Sequence, residues 1–353
     1  MESKVIVKHS KPSIDDRDIE AVVKVLSSGN ISQGEKVREF ERKVAHFVGV
    51  KHGIAVSSGT AALHLALIGL HQGSGDEVIL PSYVCASPYI ATLHAGAIPK
   101  LVDVNTADFN INTKEVEKAQ TKKTKAVIIP HTFGTPAELD ELSNIEAPII
   151  EDCAHSLGAE YRQRRVGNFG KVSICSFYAT KMITTGEGGM ILTNDDEIYE
   201  KISEVRQYDE KPLTTLRYNY KMTDFQAALG ISQMNKLPDF IKRRREIAKL
   251  YDELFSELDV ATSTIPSYKR SVIYRYVILL NNLDNIQQEI KKKGVMCEKP
   301  VFEPLHKNLC KLNYPNTDYI YNHALSIPIY PSLNTEEIDY IIEQLNLVIK
   351  KKT

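Results

Sequence analysis

Lys181 is the side chain in this sequence that most clearly indicates a chemical reaction. It lies in residues 176–182 (SFYATKM), which run directly into the glycine-rich segment 184–189 (TTGEGG). A lysine among apolar and small neighbours loses solvation, and this loss favours the neutral amine. A neutral lysine is the nucleophile that forms a Schiff base with an aldehyde. On this segment alone, a solvated loop lysine is the simpler interpretation, because most lysines in glycine-rich stretches are of that kind.

A second motif, residues 149–156 (IIEDCAHS), contains the acid Asp152. An apolar run that ends in Glu-Asp predicts a buried strand with an acid at its carboxyl end. In open α/β sheets, ligands bind at that edge. An acid there can pair with a pyridinium nitrogen and keep it protonated, which makes the ring an electron sink. The alternative is an ordinary helix cap, because Asp is a good N-cap residue.

A third motif, residues 53–67 (GIAVSSGTAALHLAL), predicts a short strand followed by a helix that starts near Thr60. The free amides and the dipole of a helix start bind a phosphate without a cationic side chain. Small residues at this corner let a phosphate approach the backbone. Many α/β proteins place Ser-Gly-Thr at a strand–helix corner, so this signal is weak by itself.

Together the three motifs provide a phosphate cradle, an acid for a ring nitrogen and an aldehyde-binding lysine, which are the parts that a pyridoxal phosphate (PLP) enzyme needs. Over nearly its whole length the sequence resembles the DegT family of PLP-dependent sugar aminotransferases. The segments that carry the resemblance are 34–41 (GEKVREFE), 59–63 (GTAAL), 151–159 (EDCAHSLGA), 176–189, 218–228 (YNYKMTDFQAA) and 325–331 (LSIPIYP).

Composition narrows the class of protein further. The chain has 353 residues, an apolar share of 42% and a net charge of −1, which favours a large globular core and gives no sign of nucleic-acid binding. Its five cysteines include no C-x-x-C pair, and the odd count argues against a disulfide framework. The N-terminus does not read as a signal peptide, and no apolar run is long enough to span a bilayer. We therefore expect a cytoplasmic protein without membrane partners.

Strand and helix patterns alternate from Gly53 onward, which predicts a largely parallel sheet covered on both faces. A long helix is expected over residues 223–254, with an interruption at Pro238. The resemblance implies a fold-type I PLP-dependent transferase: an α/β fold with a large seven-stranded, mainly parallel sheet domain and a small C-terminal α+β domain. We place the large domain at 1–244, with an N-terminal helical segment at 1–50, and the small domain at 245–353. The strand candidates are 53–57, 77–80, 99–103, 125–130, 147–151, 172–176 and 189–193.

The resemblance also implies roles for individual residues. Lys181 is the predicted catalytic residue, which binds the cofactor aldehyde and later moves a proton. Asp152 is expected to pair with the ring nitrogen. The other predicted cofactor-binding residues are Gly59, Thr60, Ala61 and Ser176 at the phosphate, His155 near the phenolic oxygen, Asn219 reaching the phosphate of a neighbouring subunit, and Cys85. Lys221 is the rival of Asn219, and His155 could instead be a helix-start histidine.

Cys85 marks a departure from the family, which usually has an aromatic residue on the cofactor ring at this register. A thiol packs as a small apolar group and cannot stack like a ring, so Tyr83 or Tyr89 could take that place. The predicted substrate-binding residues are Tyr83, Glu187, His306 and Tyr314. Glu187 could instead close a tight turn, His306 could be a loop histidine, and Tyr314 could pack the small domain.

The predicted activity is transfer of an amino group from L-glutamate to a keto group of a nucleotide-linked deoxysugar, by a homodimer with shared active sites. Amino-acid aminotransferases of this fold clamp the α-carboxylate with an arginine of the small domain, and no arginine follows Arg275 here. Alternatives are other PLP chemistry on a sugar or a small keto substrate, amination at a different carbon, or a non-catalytic regulatory relative. The sugar dehydrases of the family carry His where this chain has Lys181, so the lysine favours transamination.

Overall fold

Short apolar runs form the strands and amphipathic segments form the helices of this protein. The computed structural model describes residues 6–71, 73–309 and 312–351. The helices are α1 (Asp16–Ser28), α2 (Glu35–Val48), α3 (Gly59–Gly69), α4 (Ser87–His94), α5 (Thr113–Ala119), α6 (Asp196–Val205), α7 (Asp224–Glu257), α8 (Leu283–Lys292), α9 (His306–Leu309), α10 (Pro315–His323) and α11 (Thr335–Lys350). The strands are β1 (His52–Val56), β2 (Glu77–Pro81), β3 (Ile98–Val102), β4 (Thr124–Pro130), β5 (Ile149–Asp152), β6 (Glu160–Tyr161), β7 (Arg164–Arg165), β8 (Val172–Ser176), β9 (Gly189–Thr193), β10 (Lys269–Arg270), β11 (Tyr276–Leu279) and β12 (Ala324–Ile327).

The central sheet has seven strands in the order β1-β9-β8-β5-β4-β2-β3. The five strands from β8 to β3 run parallel, and β9 is antiparallel to both of its neighbours. All seven strand candidates form this sheet, so the predicted fold class is confirmed. Two smaller antiparallel sheets, β10-β6-β7 and β11-β12, lie outside it.

Side chains along each central strand alternate between two hydrophobic clusters, as a period of two requires. In β2, for example, Ile79 packs with the cluster that includes α2 and the first half of α7, whereas Val78 and Leu80 pack with α3 and α6. Both faces of the sheet are therefore covered. This explains why its strands read as nearly continuous apolar runs.

A third hydrophobic cluster lies beyond the central sheet and joins the second half of α7 to α8, α11 and the β11-β12 ribbon. The predicted division at residue 244 falls inside α7, between Ile241 in the first cluster and Ile247 in the third. Val7, which we assigned to the N-terminal helical segment, packs in the third cluster, and its amide donates to the carbonyl of Gly294 at 2.8 Å. The two-domain division itself stays a prediction.

The long helix α7 continues through Pro238, so the predicted interruption is wrong. Proline removes one amide donor and crowds the carbonyl four residues earlier, which usually breaks a helix. Here Pro238 is exposed, whereas Met234, Leu237 and Ile241 around it are buried in the core. Packing of the buried face therefore holds the helix together across the proline. Within the described ranges, no helix is both long and apolar enough to cross a membrane.

Candidate active site

Lys181 lies in the loop that joins β8 to β9, at the carboxyl end of β8. The loop is fixed by backbone hydrogen bonds: the Phe177 amide donates to the Gly188 carbonyl and the Thr185 amide donates to the Phe177 carbonyl, each at 2.9 Å. The Lys181 side chain is half-buried, and its Nζ lies 5.3 Å from the centroid of the Tyr274 ring. The lysine is thus held against an aromatic surface at the edge where ligands bind in such sheets.

Asp152 ends β5, the strand next to β8 in the sheet, and its side chain is buried. Its Oδ1 accepts a hydrogen bond from the Ala154 amide at 2.9 Å. Burial raises the pKa of Asp152, while the hydrogen bond from the Ala154 amide and then the positive charge of Lys181 oppose the shift. The carboxylate therefore needs a further cationic partner to hold its charge, and this is the role expected of a pyridinium nitrogen.

A hydrogen-bonded cluster lies on the other side of the β5 end. The Glu151 carboxylate accepts from the amides of Gly167, Phe169 and Gly170 at 2.8, 2.6 and 2.7 Å. Glu151 also lies 3.0 Å from His131 Nε2, and His131 Nδ1 accepts from the Ala137 amide, so Nε2 carries the proton. Burial would raise the pKa of Glu151, but these partners outweigh it and lower the pKa.

Cys153 completes a set of three buried metal-ligand side chains with His131 and Glu151, whose ligand atoms lie within 4.8 Å of one another. Both ring nitrogens of His131 and both oxygens of Glu151 are engaged within the protein. The hydrogen bonds of this cluster therefore fix the end of β5, which carries Asp152.

The start of α3 forms a cradle opposite Ser176. A Cβ atom added to Gly59 would lie 2.9 Å from Ser176 Cβ, so only glycine allows this close approach. Ser58 Oγ caps the helix by accepting from the Ala61 amide at 3.1 Å. Among the described residues, no hydrogen bond engages the amides of Gly59 and Thr60. These two amides and the Ser176 hydroxyl are the groups that fit an incoming phosphate.

Cys85 lies in the loop before α4, within electrostatic reach of Lys181 and Asp152, and the space among these three residues is called the crevice. Two residues further on, Ser87 Oγ lies 2.7 Å from Thr60 Oγ1, which ties this loop to the cradle. Cys85 is accessible to solvent, yet the surrounding walls desolvate its thiol and raise its pKa, with Lys181 lowering the pKa and Asp152 raising it. The thiol is thus electrostatically close to both predicted catalytic groups.

Neither tyrosine that could replace Cys85 is free to do so. Tyr83 is 2% exposed and packs in a cluster with Val104, Phe109 and Phe133. Its hydroxyl has no partner among the described residues, and burial raises its pKa. Tyr89 packs against the cluster of α3. This arrangement favours Cys85 as the residue nearest the place of the usual aromatic side chain.

His155 belongs to an aromatic wall of the crevice. Its ring stacks on Tyr274 at 4.3 Å and 17°, and it lies nearly parallel to Phe133 at 6.2 Å. Burial, followed by the charges of Lys181 and Arg275, lowers the pKa of His155 well below its usual range. The imidazole is therefore neutral at neutral pH and can offer a hydrogen bond to a neighbouring oxygen without adding charge.

Asn219 lies apart from these residues. It is exposed between Tyr218 and Tyr220, whose rings stack on each other at 5.1 Å. Its rival Lys221 forms an ion pair with Asp209. Asn219 is thus the freer of the two to reach a neighbouring molecule, and its predicted role stays a prediction.

The remaining predicted substrate-binding residues differ in burial. Glu187 is exposed in the turn at Gly186, and its carbonyl accepts from Thr185 Oγ1 at 2.7 Å. His306 is buried, with Nδ1 2.7 Å from Ser82 Oγ and Nε2 3.3 Å from Asp318. These contacts within the protein favour structural roles for both residues.

Tyr314 is also buried. Its hydroxyl donates to the Leu101 carbonyl at 3.3 Å, and its ring lies 4.8 Å from that of His306. Packing of the C-terminal segment accounts for these contacts. Substrate roles for Glu187, His306 and Tyr314 remain predictions.

Sequence reasoning missed Tyr274, Arg275 and His9. Tyr274 stacks against His155 and lies beside Lys181, and Arg275 lies beside Tyr274. Tyr274 and Arg275 belong to none of the motifs identified in the sequence. His9 contacts Arg275 across a separation of 266 residues, so only the fold reveals the pair.

The crevice and the sheet around it define a PLP-dependent transferase of fold type I. Residues 12–346 match the DegT/DnrJ/EryC1/StrS aminotransferase family, and the chain belongs to that family. The predicted family, the aminotransferase class and PLP as the cofactor are thereby confirmed.

Related sequences match nearly the whole chain. An uncharacterized protein of Methanocaldococcus jannaschii is 35% identical, with 97% of each chain covered. The spore coat polysaccharide biosynthesis protein SpsC of Bacillus subtilis is 33% identical, again with 97% of each covered. The GDP-perosamine synthase of Escherichia coli O157:H7 is 32% identical over 95% of this chain and 96% of that protein.

Solved structures agree with the sequence relatives. Spr1654 of Streptococcus pneumoniae in its PLP form has a TM-score of 0.92 at 27% identity, with 98% of this chain and 99% of that chain covered. Helicobacter pylori PseC, an aminotransferase involved in the biosynthesis of pseudoaminic acid, has a TM-score of 0.91 at 26% identity. In that case 98% of this chain and 99% of the other are covered.

Proposed function

We propose that this protein is a cytoplasmic, homodimeric aminotransferase that moves an amino group from L-glutamate to a keto group of a nucleotide-linked deoxysugar, for a surface polysaccharide or a secondary metabolite. The observation that carries the proposal is the placement of Lys181 and Asp152 on neighbouring strand ends of a family aminotransferase fold. The relatives named for GDP-perosamine and pseudoaminic acid biosynthesis support a sugar acceptor.

The residues present fit PLP. Gly59 leaves the space next to Ser176 that a Cβ would fill, and the amides of Gly59 and Thr60 point to a phosphate at the start of α3. Asp152 would pair with the ring nitrogen, and Lys181 would bind the aldehyde carbon. When bound, PLP supplies a protonated ring that stabilises the electron pair left by removal of a proton.

Each neighbouring side chain has a distinct part in the reaction. Asp152 would keep the ring nitrogen protonated, because a buried carboxylate favours a cation as its partner. Lys181 would serve as the base that takes up and returns a proton at the reacting carbon. Neutral His155 would donate or accept a hydrogen bond at the cofactor without adding charge, and the Tyr274 ring lies against the lysine.

A homodimer would complete the site through the segment between α6 and α7. Asn219 lies on this segment, and the apolar side chains of Leu213 and Leu216 on it are 99% and 73% exposed. Two exposed leucines on one short segment would gain by being covered in an interface with another chain. Asn219 would then reach the phosphate in the partner's crevice.

The visible absorption spectrum of the PLP-loaded protein, recorded before and after addition of L-glutamate, tests this proposal first. We expect a yellow band that collapses with glutamate and returns with a 4-keto-6-deoxysugar nucleotide. A Lys181→Ala variant should show neither change. A band that ignores glutamate would contradict the proposed donor, and efficient turnover of α-keto acids with no response to keto-sugars would contradict the proposed acceptor.

A second hypothesis is that the enzyme carries out another PLP reaction on a sugar. It predicts different products. Such an enzyme would consume the sugar nucleotide without stoichiometric formation of 2-oxoglutarate. The retained Lys181 favours transamination over this alternative. Product analysis by mass spectrometry distinguishes the two, since transamination replaces the keto oxygen of the sugar with an amino group.

A further inference from the structure

Arg275 places a guanidinium group against the Tyr274 ring, which Lys181 also approaches, and no carboxylate of the described residues pairs with it. Its Nη1 lies 3.1 Å from Nε2 and 3.4 Å from Nδ1 of His9. Its Nε is buried and has no hydrogen-bond partner among the described residues. No acid of the described ranges forms an ion pair with it either. A half-buried cation without a counter-ion is costly, so a site with such a group favours an anionic ligand.

Arg275 and Lys181 both approach the same aromatic ring. Arg275 Cζ and Lys181 Nζ each lie 5.3 Å from the centroid of the Tyr274 ring. Burial would raise the pKa of Tyr274, but Lys181 and Arg275 together outweigh it and lower the pKa. The two cations therefore share one electrostatic environment.

A cavity of about 70 Å³ opens between Arg275 and the loop that carries Lys181. A water molecule takes up about 30 Å³, so the cavity has room for a carboxylate-sized group. It is lined by His9, Ser10, Thr180, Tyr274, Arg275 and Ser326, together with two isoleucines. Thr180 directly precedes Lys181, so this cavity borders the loop that carries the lysine.

Two acids that line a second cavity with Arg275, Asp108 and Asp252, already have other partners. A separate cavity of about 250 Å³ is lined by Arg275, Asp108 and Asp252. Asp108 Oδ2 lies 3.2 Å from Lys269 Nζ, and Asp252 Oδ1 accepts from the Tyr276 hydroxyl at 2.6 Å. Neither carboxylate therefore neutralises the guanidinium.

His9 holds Arg275 without changing its charge. Burial, then the charges of Arg275 and Lys291, lowers the pKa of His9 to about 3, so the imidazole is neutral. His9 Nε2 also lies 2.9 Å from Ser326 Oγ, which anchors the ring on β12. Nη1 donates to His9, whereas the buried Nε–H has no acceptor, so a carboxylate that entered along the Nε and Nη2 edge would supply one and could receive two parallel hydrogen bonds.

We propose that Arg275 binds a carboxylate of the amino donor, and that His9 is a positioning residue for Arg275. This inference rests on the proposed function, because it gives the donor of that reaction its binding site. The donor's carboxylate needs a binding partner, and no arginine follows Arg275 in the sequence. The guanidinium that binds the donor is Arg275 itself, at the start of the β11-β12 ribbon.

Ligand binding and the separate half-reactions of the PLP-loaded protein test this inference. The variants are Arg275→Gln, Arg275→Lys and, as a matched control, Arg270→Gln, since Arg270 is exposed on the same segment of chain. Glutarate, which has two carboxylates and no amine, is titrated by calorimetry. Glutamate is then followed through the loss of the cofactor band, and the sugar nucleotide through its return.

We expect Arg275→Gln to weaken glutarate and glutamate binding by on the order of 10- to 100-fold, the usual loss for a hydrogen-bonded charge partner. Cofactor affinity and the sugar half-reaction should change by less than about 3-fold. Arg275→Lys keeps the charge and loses the bidentate geometry, so its effect should be intermediate. Arg270→Gln should match the wild type. If Arg275→Gln fails to fold, Arg275→Lys carries the test.

Equal affinity of wild type and Arg275→Gln for both dicarboxylates would overturn the inference. A loss confined to the sugar nucleotide would also overturn it, because Arg275 would then serve the diphosphate. A wild type that ignores glutamate yet binds glutarate through Arg275 supports the carboxylate site and refutes only the proposed donor. A wild type that binds neither dicarboxylate refutes the site.

Discussion

At the scale of single residues, burial shifts the pKa values of the titratable side chains that line the crevice. Asp152 has a raised pKa and His155 a lowered one, in both cases chiefly because of burial. Each shift favours the neutral side chain, so charge must be supplied by what binds between them. A cofactor with a protonated ring nitrogen and a phosphate satisfies this requirement. The crevice is therefore better suited to the loaded state than to an empty one.

Cys85 is the residue at which this chain departs from the usual family site. We expect Cys85→Phe to hold PLP about 2- to 10-fold more tightly, because aromatic stacking adds about 0.5–1.5 kcal/mol beyond burial. The dissociation constant of PLP, measured by absorbance titration, checks this expectation. Cys85→Ser is the matched control, since it keeps the size and offers no ring, and it should stay close to the wild type.

Weaker cofactor binding by Cys85→Phe would contradict this view of the site. It would mean that a ring at position 85 collides with the cofactor or with the wall formed by Tyr274 and His155. The small side chain of Cys85 would then be required to leave room for the cofactor, and would not simply be a tolerated replacement of the usual aromatic residue.

At the scale of elements, the site depends on two strand ends and one helix start that the sheet brings to a common edge. β5 delivers Asp152, β8 leads to Lys181, and α3 begins at the cradle of Gly59. The parallel order of β5 and β8 places both functional ends on the same side. The long helix α7 then links this sheet to the third hydrophobic cluster.

Pro238 lowers the stability of helix α7. A proline within a helix costs about 3 kcal/mol relative to alanine, and part of this loss is offset because proline also restricts the unfolded chain. We therefore expect Pro238→Ala to raise the free energy of unfolding by about 1–2 kcal/mol. Urea unfolding followed by circular dichroism measures this change as a higher midpoint at an unchanged slope.

Asn235→Ala is the control for Pro238→Ala, because Asn235 is exposed on the same helix. It should alter stability by less than about 0.7 kcal/mol, the range of ordinary helix propensities. If Pro238→Ala were neutral or destabilising, α7 would depend on a bend at this position to join its two hydrophobic clusters.

At the scale of the whole molecule, local patterns predict the fold well and the site in part. The alternating apolar runs were enough to identify all seven central strands, and the acid at the end of β5 was expected where it lies. The helix through Pro238 could not be foreseen, because the packing of Met234, Leu237 and Ile241 decides it. The contact of His9 with Arg275 depends on chain segments that meet only after folding.

The surface of the segment between α6 and α7 leads to a prediction about assembly. Leu213 and Leu216 are 99% and 73% exposed, next to the exposed Asn219. We expect a variant with Leu213→Glu and Leu216→Glu to sediment as a monomer at concentrations at which the wild type is a dimer, because carboxylates resist desolvation at an interface. Sedimentation velocity measures the two species directly.

The same variant should also lose PLP more readily, since Asn219 would no longer reach the partner's phosphate. Leu347→Glu is the matched control: Leu347 is 44% exposed on α11, outside this segment, and its variant should remain dimeric with unchanged cofactor affinity. A wild type that sediments as a monomer would refute the homodimer. A dimer that survives both substitutions would move the interface to another face, and Asn219 would then lose its proposed role in cofactor binding.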